Sequence, residues 1–306
     1  TAFQRLEEPE PSGGRLLIFS LNERKLDLKH ETPTSGAVYA LDSFQGKLLA
    51  GINNKLQLFE WLPCTRAPKL ERRAEHCGHI LVLYVQSRGD FILVGDLMKS
   101  MSLLQCTAGS HKLEELARDF NANWMTAVAF LDDDHFIGAE NWSNLFTTRK
   151  NADATTDEER QHLEVVGEYH LGEFVNRFRW GSLSMHVVES GVSQRSQLLY
   201  GTVNGVLGVV ASLPADEYAF FSKLQDQLRG AAGKPGVIKG VGGLVHSEWR
   251  SFRNERKTVE AHNFVDGDLI EAFLELPGDK MEEVATSMEV NVEELSRRIR
   301  DLERMH

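Results

Sequence analysis

A beat of about 44 residues runs through the first two thirds of this chain and restricts its fold more than any other feature. Residues 36–61 read GAVYALDSFQGKLLAGINNKLQLFEW, residues 79–106 read HILVLYVQSRGDFILVGDLMKSMSLLQC, and residues 123–150 read NWMTAVAFLDDDHFIGAENWSNLFTTRK. A fourth copy starts as EFVNRFRWGSLSMHVV at Glu173 and resumes as QLLYGTVNGVLGVVASL at Gln197. Each copy holds an apolar strand, a polar turn, a second strand closing near glycine, a short turn and a third strand. The closing glycines, Gly51, Gly95, Gly138 and Gly201, are spaced 44, 43 and 63. The first strands begin near Ala37, Ile80, Trp124 and Phe174, spaced 43, 44 and 50.

Short antiparallel strands repeating every ~40–45 residues are the signature of a β-propeller blade. An outer fourth strand fits residues 70–75 and 112–117. Period-2 alternation in Leu56-Gln57-Leu58-Phe59 and Met101-Ser102-Leu103 suits half-buried strands. Residues 69–213 contain no proline, as central ladder strands require. The longer fourth interval has two sources: a charged insert at 151–162 (NADATTDEERQH), with a capping-box start at Thr155, and a polar loop at 189–196. Residues 37–213 supply four blades and residues 15–31 two further strands. Open sheet edges are a liability, so four blades plus a fragment predict a piece of a larger ring. The expected fold is mostly β, with a partial propeller over residues 1–213.

The period changes after Pro214. ADEYAFFSKLQDQLRG places Tyr218, Phe221, Leu224 and Leu228 on one helical face, and a glycine-rich connection follows at 230–243. Residues 247–253 predict a short helix bringing Trp249 and Phe252 together. Further helix starts are expected at Asp266 or Asp268, at Asp279 with Glu282, and at Asn291 with Glu294. Val292, Leu295, Ile299 and Leu302 line one stripe of the last helix. Residues 214–306 therefore read as a small helical domain.

Composition narrows function more than fold. Thirty-four Lys and Arg against 45 Asp and Glu leave a formal charge of −11, which opposes a dominant phosphate-binding role. Three cysteines are too few for a disulfide framework and suggest a reducing compartment. The acidic, proline-containing start does not resemble a signal peptide, and no apolar run approaches the ~20 residues that span a bilayer. A soluble intracellular protein with no membrane partner is expected.

Motifs for chemistry are weak. Residues 230–236 (GAAGKPG) lack the Ser/Thr, glycine spacing and preceding strand of a phosphate loop. Residues 201–208 read as a hairpin turn at Asn204-Gly205. Cys64, His76, Cys77 and His79 contain no C-x-x-C pair, so no metal is expected. Asp132-Asp133-Asp134 fits a turn between two strands, and the basic run Arg250, Arg253, Arg256 and Lys257 fits a solvated helix face. No catalytic residue and no cofactor can be named.

One constellation stands out. In an up-and-down blade, the start of the first strand and the turn between the second and third share a face of the disc. At those phases the chain is unusually apolar: Ile80, Leu81, Leu83 and Tyr84; Trp124 and Met125; Phe174 and Val175; Leu97 and Met98; Val203. Leu83 and Val175 could equally be core, whereas Trp124, Leu97 and Val203 sit at strand ends. An apolar, aromatic-bearing propeller face is expected to dock protein, often a helix.

Longer strings carry a resemblance. GDFILVGDLMKS (89–100), ARDFNANWMTAV (117–128), ATTDEERQHLEVVGEYHLGEFVN (154–176), YGTVNG (200–205), WRSFRNERKT (249–258) and FVDGDLIEAFLEL (264–276) closely resemble the family of large damaged-DNA-binding subunits, adaptors of a cullin-RING ubiquitin ligase. The wider family includes large subunits of cleavage-and-polyadenylation and splicing factors. The resemblance runs from about Gly13 to His306. It implies the later blades of the third of three seven-bladed propellers, followed by the C-terminal helical domain. The first and third propellers of the family grip a helix of interchangeable substrate receptors, while the second, outside this stretch, binds the cullin. Carried over by position, the implied receptor-contacting residues are Ile80, Leu81, Leu83, Tyr84, Leu97, Lys99, Trp124, Phe174, Asn176 and Val203. Lys99 stands where the family has Arg, Leu81 where it has Met, and Arg177 where it has an apolar residue.

The resemblance further implies a non-catalytic adaptor in DNA damage repair, located in nucleus and cytoplasm, meeting nucleic acid only through partners. An RNA cleavage, polyadenylation or splicing scaffold, and a direct nucleic-acid-binding module, remain the alternative readings.

Overall fold

The computed structural model describes residues 8–63, 68–107, 109, 112–183, 197–229, 236, 238 and 245–304. Cys64, the loop at 189–196 and nearly all of the connection at 230–243 lie outside the described residues.

The strands form where the repeat places them. β1 (Gly14–Asn22) pairs with β2 (Lys25–Thr34) as an antiparallel hairpin. The first blade-like sheet is a meander of β3 (Val38–Phe44), β4 (Lys47–Ile52), β5 (Lys55–Leu62) and β6 (Lys69–Cys77). The second holds β7 (Val82–Arg88), β8 (Phe91–Asp96), β9 (Met101–Thr107) and β10 (Lys112–Arg118). The third holds β11 (Met125–Phe130), β12 (His135–Glu140), β13 (Asn144–Lys150) and β14 (Leu163–His170). The fourth, three-stranded, holds β15 (Val175–Trp180), β16 (Gln197–Thr202) and β17 (Leu207–Ala211). The molecule is mostly β, with a blade-like sheet for each of the four sequence repeats.

Two backbone details recur in every repeat. The register between the first and second strands slips just inside the strand start, at Val38/Ala40, Val82/Tyr84, Met125/Ala127 and Val175/Arg177. An amide in the turn after the second strand also donates to the carbonyl at the start of the first. Those bonds are Asn53 to Ala37 (3.0 Å), Leu97 to Leu81 (3.2 Å), Asn141 to Trp124 (3.0 Å) and Val203 to Phe174 (3.0 Å). A bulge re-aims the side chains beside it. Strand start and turn are thus tied together four times over.

The chain divides into two compact units, Thr1–Asn141 with Thr148–Val165, and Trp142–Thr147 with Val166–His306. The first unit is propeller-like: its sheets pack face to face around Phe44, Leu56, Leu58, Val82, Ile92 and Leu104. Fully burying each such side chain contributes roughly 1.5–3 kcal/mol. The close approach explains two of the periodic glycines. A Cβ on Gly51 would lie 2.7 Å from both Val82 Cγ1 and the Val82 carbonyl oxygen, and one on Gly95 would lie 2.9 Å from Val128 Cγ1. Each glycine makes room for the first strand of the next repeat.

The charged insert forms one short helix, α1 (Asp157–Arg160). Its cap is Thr156 rather than Thr155. Both head a Thr-x-x-Glu string, but Thr156 has the extended backbone a cap needs and its hydroxyl accepts from the Glu159 amide at 3.3 Å.

In the second unit the strand pattern gives way to α2 (Ala215–Arg229), whose Phe221, Leu224 and Leu228 are buried. They share an apolar cluster with Leu295, Ile299 and Leu302 of α6 (Val292–Glu303). Asn291 caps α6 as expected, its Oδ1 accepting from the Glu294 amide at 2.7 Å.

Three helix expectations need correction. α3 spans only His246–Arg250, because Ser251 is extended and delivers Phe252 into a two-residue strand paired with Thr258–Val259. The cap position of α4 (Gly267–Glu271) is Asp266, but its carboxylate makes no cap bond and is engaged elsewhere. α5 (Gly278–Ser287) begins before Asp279, with the Pro277 carbonyl accepting from the Lys280 and Met281 amides. Among the described residues no helix is long and apolar enough to cross a membrane.

Candidate functional site

In the first unit the expected docking residues are organised around a buried carboxylate. Asp96, at the end of β8, accepts the Ile80 and Leu81 amides on one oxygen (2.8 and 3.1 Å) and those of Met98 and Lys99 on the other (3.0 and 3.1 Å). It therefore fixes the approach to β7 and the β8–β9 turn together. Ser100, left-handed at φ 58°, donates its amide to the carbonyl of Asn123, which ties that turn to the residue before Trp124. Sequence alternation decides which side chains remain outside. Val82 and Met125 enter the core, whereas Ile80, Leu81, Leu83, Tyr84 and Leu97 are half-buried and Lys99 is exposed. Trp124 keeps 44% of its surface in solvent, far more than a core indole would. Burial pushes the Tyr84 phenol pKa up, so the hydroxyl stays neutral at physiological pH.

The second unit repeats the arrangement once. Val203, 63% exposed at the tip of the β16–β17 turn, donates its amide to the Phe174 carbonyl. The Thr202 hydroxyl accepts the Val206 amide at 3.1 Å, and Asn204 reaches the Glu173 carboxylate at 3.0 Å. Phe174 is half-buried and Asn176 exposed, while Val175 between them is core.

The basic run forms a solvated face only in part, since Arg256 is exposed but Arg250 and Lys257 are drawn into ion pairs with buried carboxylates. Arg250 is only 9% exposed. Its Nε donates to Asp266 Oδ2 at 2.6 Å, its Nη1 donates to the Leu171 carbonyl at 3.0 Å, and its guanidinium lies over Tyr169. His246 Nε2 meets the same carboxylate oxygen at 2.7 Å. Burial alone would raise the Asp266 pKa, but the His246 hydrogen bond and the Arg250 charge outweigh it and hold the group at about 2. Burial also pushes the Tyr169 phenol well above its ordinary range. Lys257 pairs with the buried carboxylate of Glu168. His170, bonded through Nδ1 to Asn144 Oδ1 at 2.8 Å, is held down at about 4 by burial and by the charges of Arg253 and Arg250. Helical spacing in the sequence cannot reveal this network, because its acidic partners are 16 and 89 residues away from Arg250 and Lys257.

Elsewhere, Asp132 accepts the amides of Asp134 and His135 at 2.9 and 2.7 Å, the turn chemistry expected of that acidic run. His76 and His79 both approach Glu115 at 3.8 Å, and Arg118 reaches His79 Nε2 at 3.1 Å. Among the described residues no group of three His, Cys, Asp or Glu side chains could hold a metal ion.

The four blade-like repeats define a β-propeller-like module, and the chain belongs to the family of the CPSF A subunit region, whose model matches residues 1–275. Among curated relatives it is 58% identical over 308 residues to "DNA damage-binding protein 1" of Solanum lycopersicum. It is 56% identical over 307 residues to "DNA damage-binding protein 1a" of Arabidopsis thaliana and to "DNA damage-binding protein 1" of Oryza sativa subsp. japonica. Each alignment takes in all of this chain and 28% of the relative's length.

Proposed function

We propose that this chain is the receptor-docking portion of a non-catalytic adaptor that serves a cullin-RING ubiquitin ligase in the response to DNA damage. The observation that carries the reading is the set of apolar strand starts in the second to fourth repeats, where Leu81, Trp124 and Phe174 are each tied by the same backbone bond to the following turn and each left partly in solvent. Ile80, Leu81, Leu83, Tyr84, Leu97, Lys99 and Trp124 contribute from the first unit, and Phe174, Asn176 and Val203 from the second. Each set, taken within its own unit, offers apolar surface to the anchors of a substrate-receptor helix. The cullin binds a propeller outside this chain, and nucleic acid is met through partners. The site of action is the nucleus, with a cytoplasmic pool.

The same reading makes residues 1–213 the later blades of a seven-bladed ring and residues 214–306 a C-terminal helical domain. The flank of the β1–β2 hairpin supports the ring. Leu17, Phe19, Leu21, Leu26 and Leu28 are exposed there, beside an open cleft of about 880 Å³ lined also by Tyr39, Leu41 and Trp61. A neighbouring blade would cover such a flank.

Trp124→Ala in the full-length protein is expected to weaken receptor binding by about 2 kcal/mol with folding intact. Unchanged receptor pull-down by a folded variant would remove Trp124 from the interface. A scaffold role in RNA cleavage and polyadenylation or in splicing is the second reading, which follows from the wider family resemblance. Affinity purification with mass spectrometry separates them by whether ligase receptors or RNA-processing subunits are recovered.

A further inference from the structure

Strand β15 differs from the first strands of the other repeats. β3 reads VYALDSF, β7 VLYVQSR and β11 MTAVAF, and their one basic residue, Arg88, closes β7 with its Nε 3.3 Å from Asp133. β15 reads VNRFRW, with Arg177 and Arg179 both exposed. Among the described residues neither has an ion pair or a side-chain hydrogen bond. The two alternate with buried Phe178 and so project to the same side, roughly 7 Å apart along the strand. Their cross-strand partners are Gly201, which has no side chain, and Leu199, so the neighbouring strand brings no acid to either guanidinium. Charged side chains also guard strand edges, and β15 is the end strand of its sheet. β3 and β11, end strands as well, carry no basic residue at all, so guarding does not account for the pair.

Two unpaired guanidinium forks on a chain of net charge −11 call for carboxylates rather than for a polyanion that the rest of the molecule repels. Two acids one turn apart on a helix are spaced about 6 Å, close to the separation of the arginines. We propose that Arg177 and Arg179 form a carboxylate-reading strip that selects docking partners bearing two acidic side chains one helical turn apart. The proposal rests on the docking reading above and adds to it a specificity determinant directly beside Asn176.

The test uses full-length protein and three synthetic amphipathic helical peptides sharing one apolar face, with a Glu, Gln or Lys pair at i and i+4, read by fluorescence anisotropy. The Glu peptide is expected to bind about tenfold more tightly than the Gln peptide at low salt. That preference should shrink in about 0.5 M salt and vanish in the Arg177→Gln/Arg179→Gln double variant, with the Lys peptide weakest throughout. Equal binding of the Glu and Gln peptides overturns the strip and leaves docking intact. Binding of a dT15 oligonucleotide that depends on both arginines and exceeds that of the Glu peptide overturns it in favour of nucleic acid. If none of the peptides binds, the docking reading fails and the strip with it.

Discussion

The two compact units stabilise their polar interiors by different chemistry. In the first, buried polar side chains mostly serve the backbone or one another: Asp96 gathers four amides, and the Asp119 carboxylate takes the Ser100 hydroxyl at 2.6 Å. In the second, opposite charges meet in the interior, with Arg250 and His246 on Asp266 and Lys257 on Glu168. A repeated sheet can satisfy its turns by the same local device in every copy. The junction of a blade strand with a chain of helices has no such repeat and relies on long-range pairs specific to it.

The sharpest way to break this contrast is Asp266→Ala. It removes the buried counter-charge of the Arg250 guanidinium and leaves only the exposed Asp268 carboxylate at 3.7 Å, so a loss of about 3 kcal/mol is expected. Hydrogen exchange should show it as lost protection in residues 246–270, and protection unchanged there would mean the charge pair does not hold the second unit. Acid should act on the same unit. His170 titrates at about 4 in the fold and near 6.5 when unfolded, so the unfolded chain binds the extra proton between those values. Stability is therefore complete above pH 6.5 and falls, by up to about 3 kcal/mol, as the pH drops to 4. The depressed Asp266 pKa adds a further loss only below about pH 4, extending to about 2. Exchange at pH 7 and pH 5 should loosen residues 142–147 and 166–172; an unchanged profile would show that His170 does not titrate as its surroundings demand.

Asp96→Ala probes the first unit, where four amides would turn to water or remain unpaired. About 2 kcal/mol is expected, with faster exchange confined to residues 80–81 and 98–99. A uniform loss across all the sheets would instead make Asp96 part of the global core. The smallest effect is Asn291→Ala, which removes the cap of α6 and should cost about 1 kcal/mol, while Asn291→Asp should restore it. Failure of aspartate to rescue would mean that the side chain does something other than accept the Glu294 amide.

Much of this architecture was legible because it repeats. The glycine spacing located Gly51 and Gly95, and the reason for it is steric: each lies where a Cβ would strike the next first strand. Their strand-end positions left Trp124 and Val203 in solvent as expected, whereas Met125, counted with the apolar face, and Val175, left open between face and core, both enter the core. Capping patterns were less decisive, since Thr155 and Thr156 satisfy the same string and only the backbone at Thr156 chooses between them. The basic run at 250–257 was illegible. Local charge spacing describes a helix face, but α3 stops at Arg250 and the chain turns inward.

Periodicity in the amino-acid order by itself determined the blade repeat, the strand phases and the apolar strand starts, because each depends on residues within about 44 positions of one another. Tertiary structure alone decided that Asp96 binds two segments at once, that Arg250 is a buried ion, and that Arg177 and Arg179 have no ion-pair partner among the described residues. Whether a charge is solvated or paired depends on which distant segment folds against it, and no local pattern encodes that neighbour.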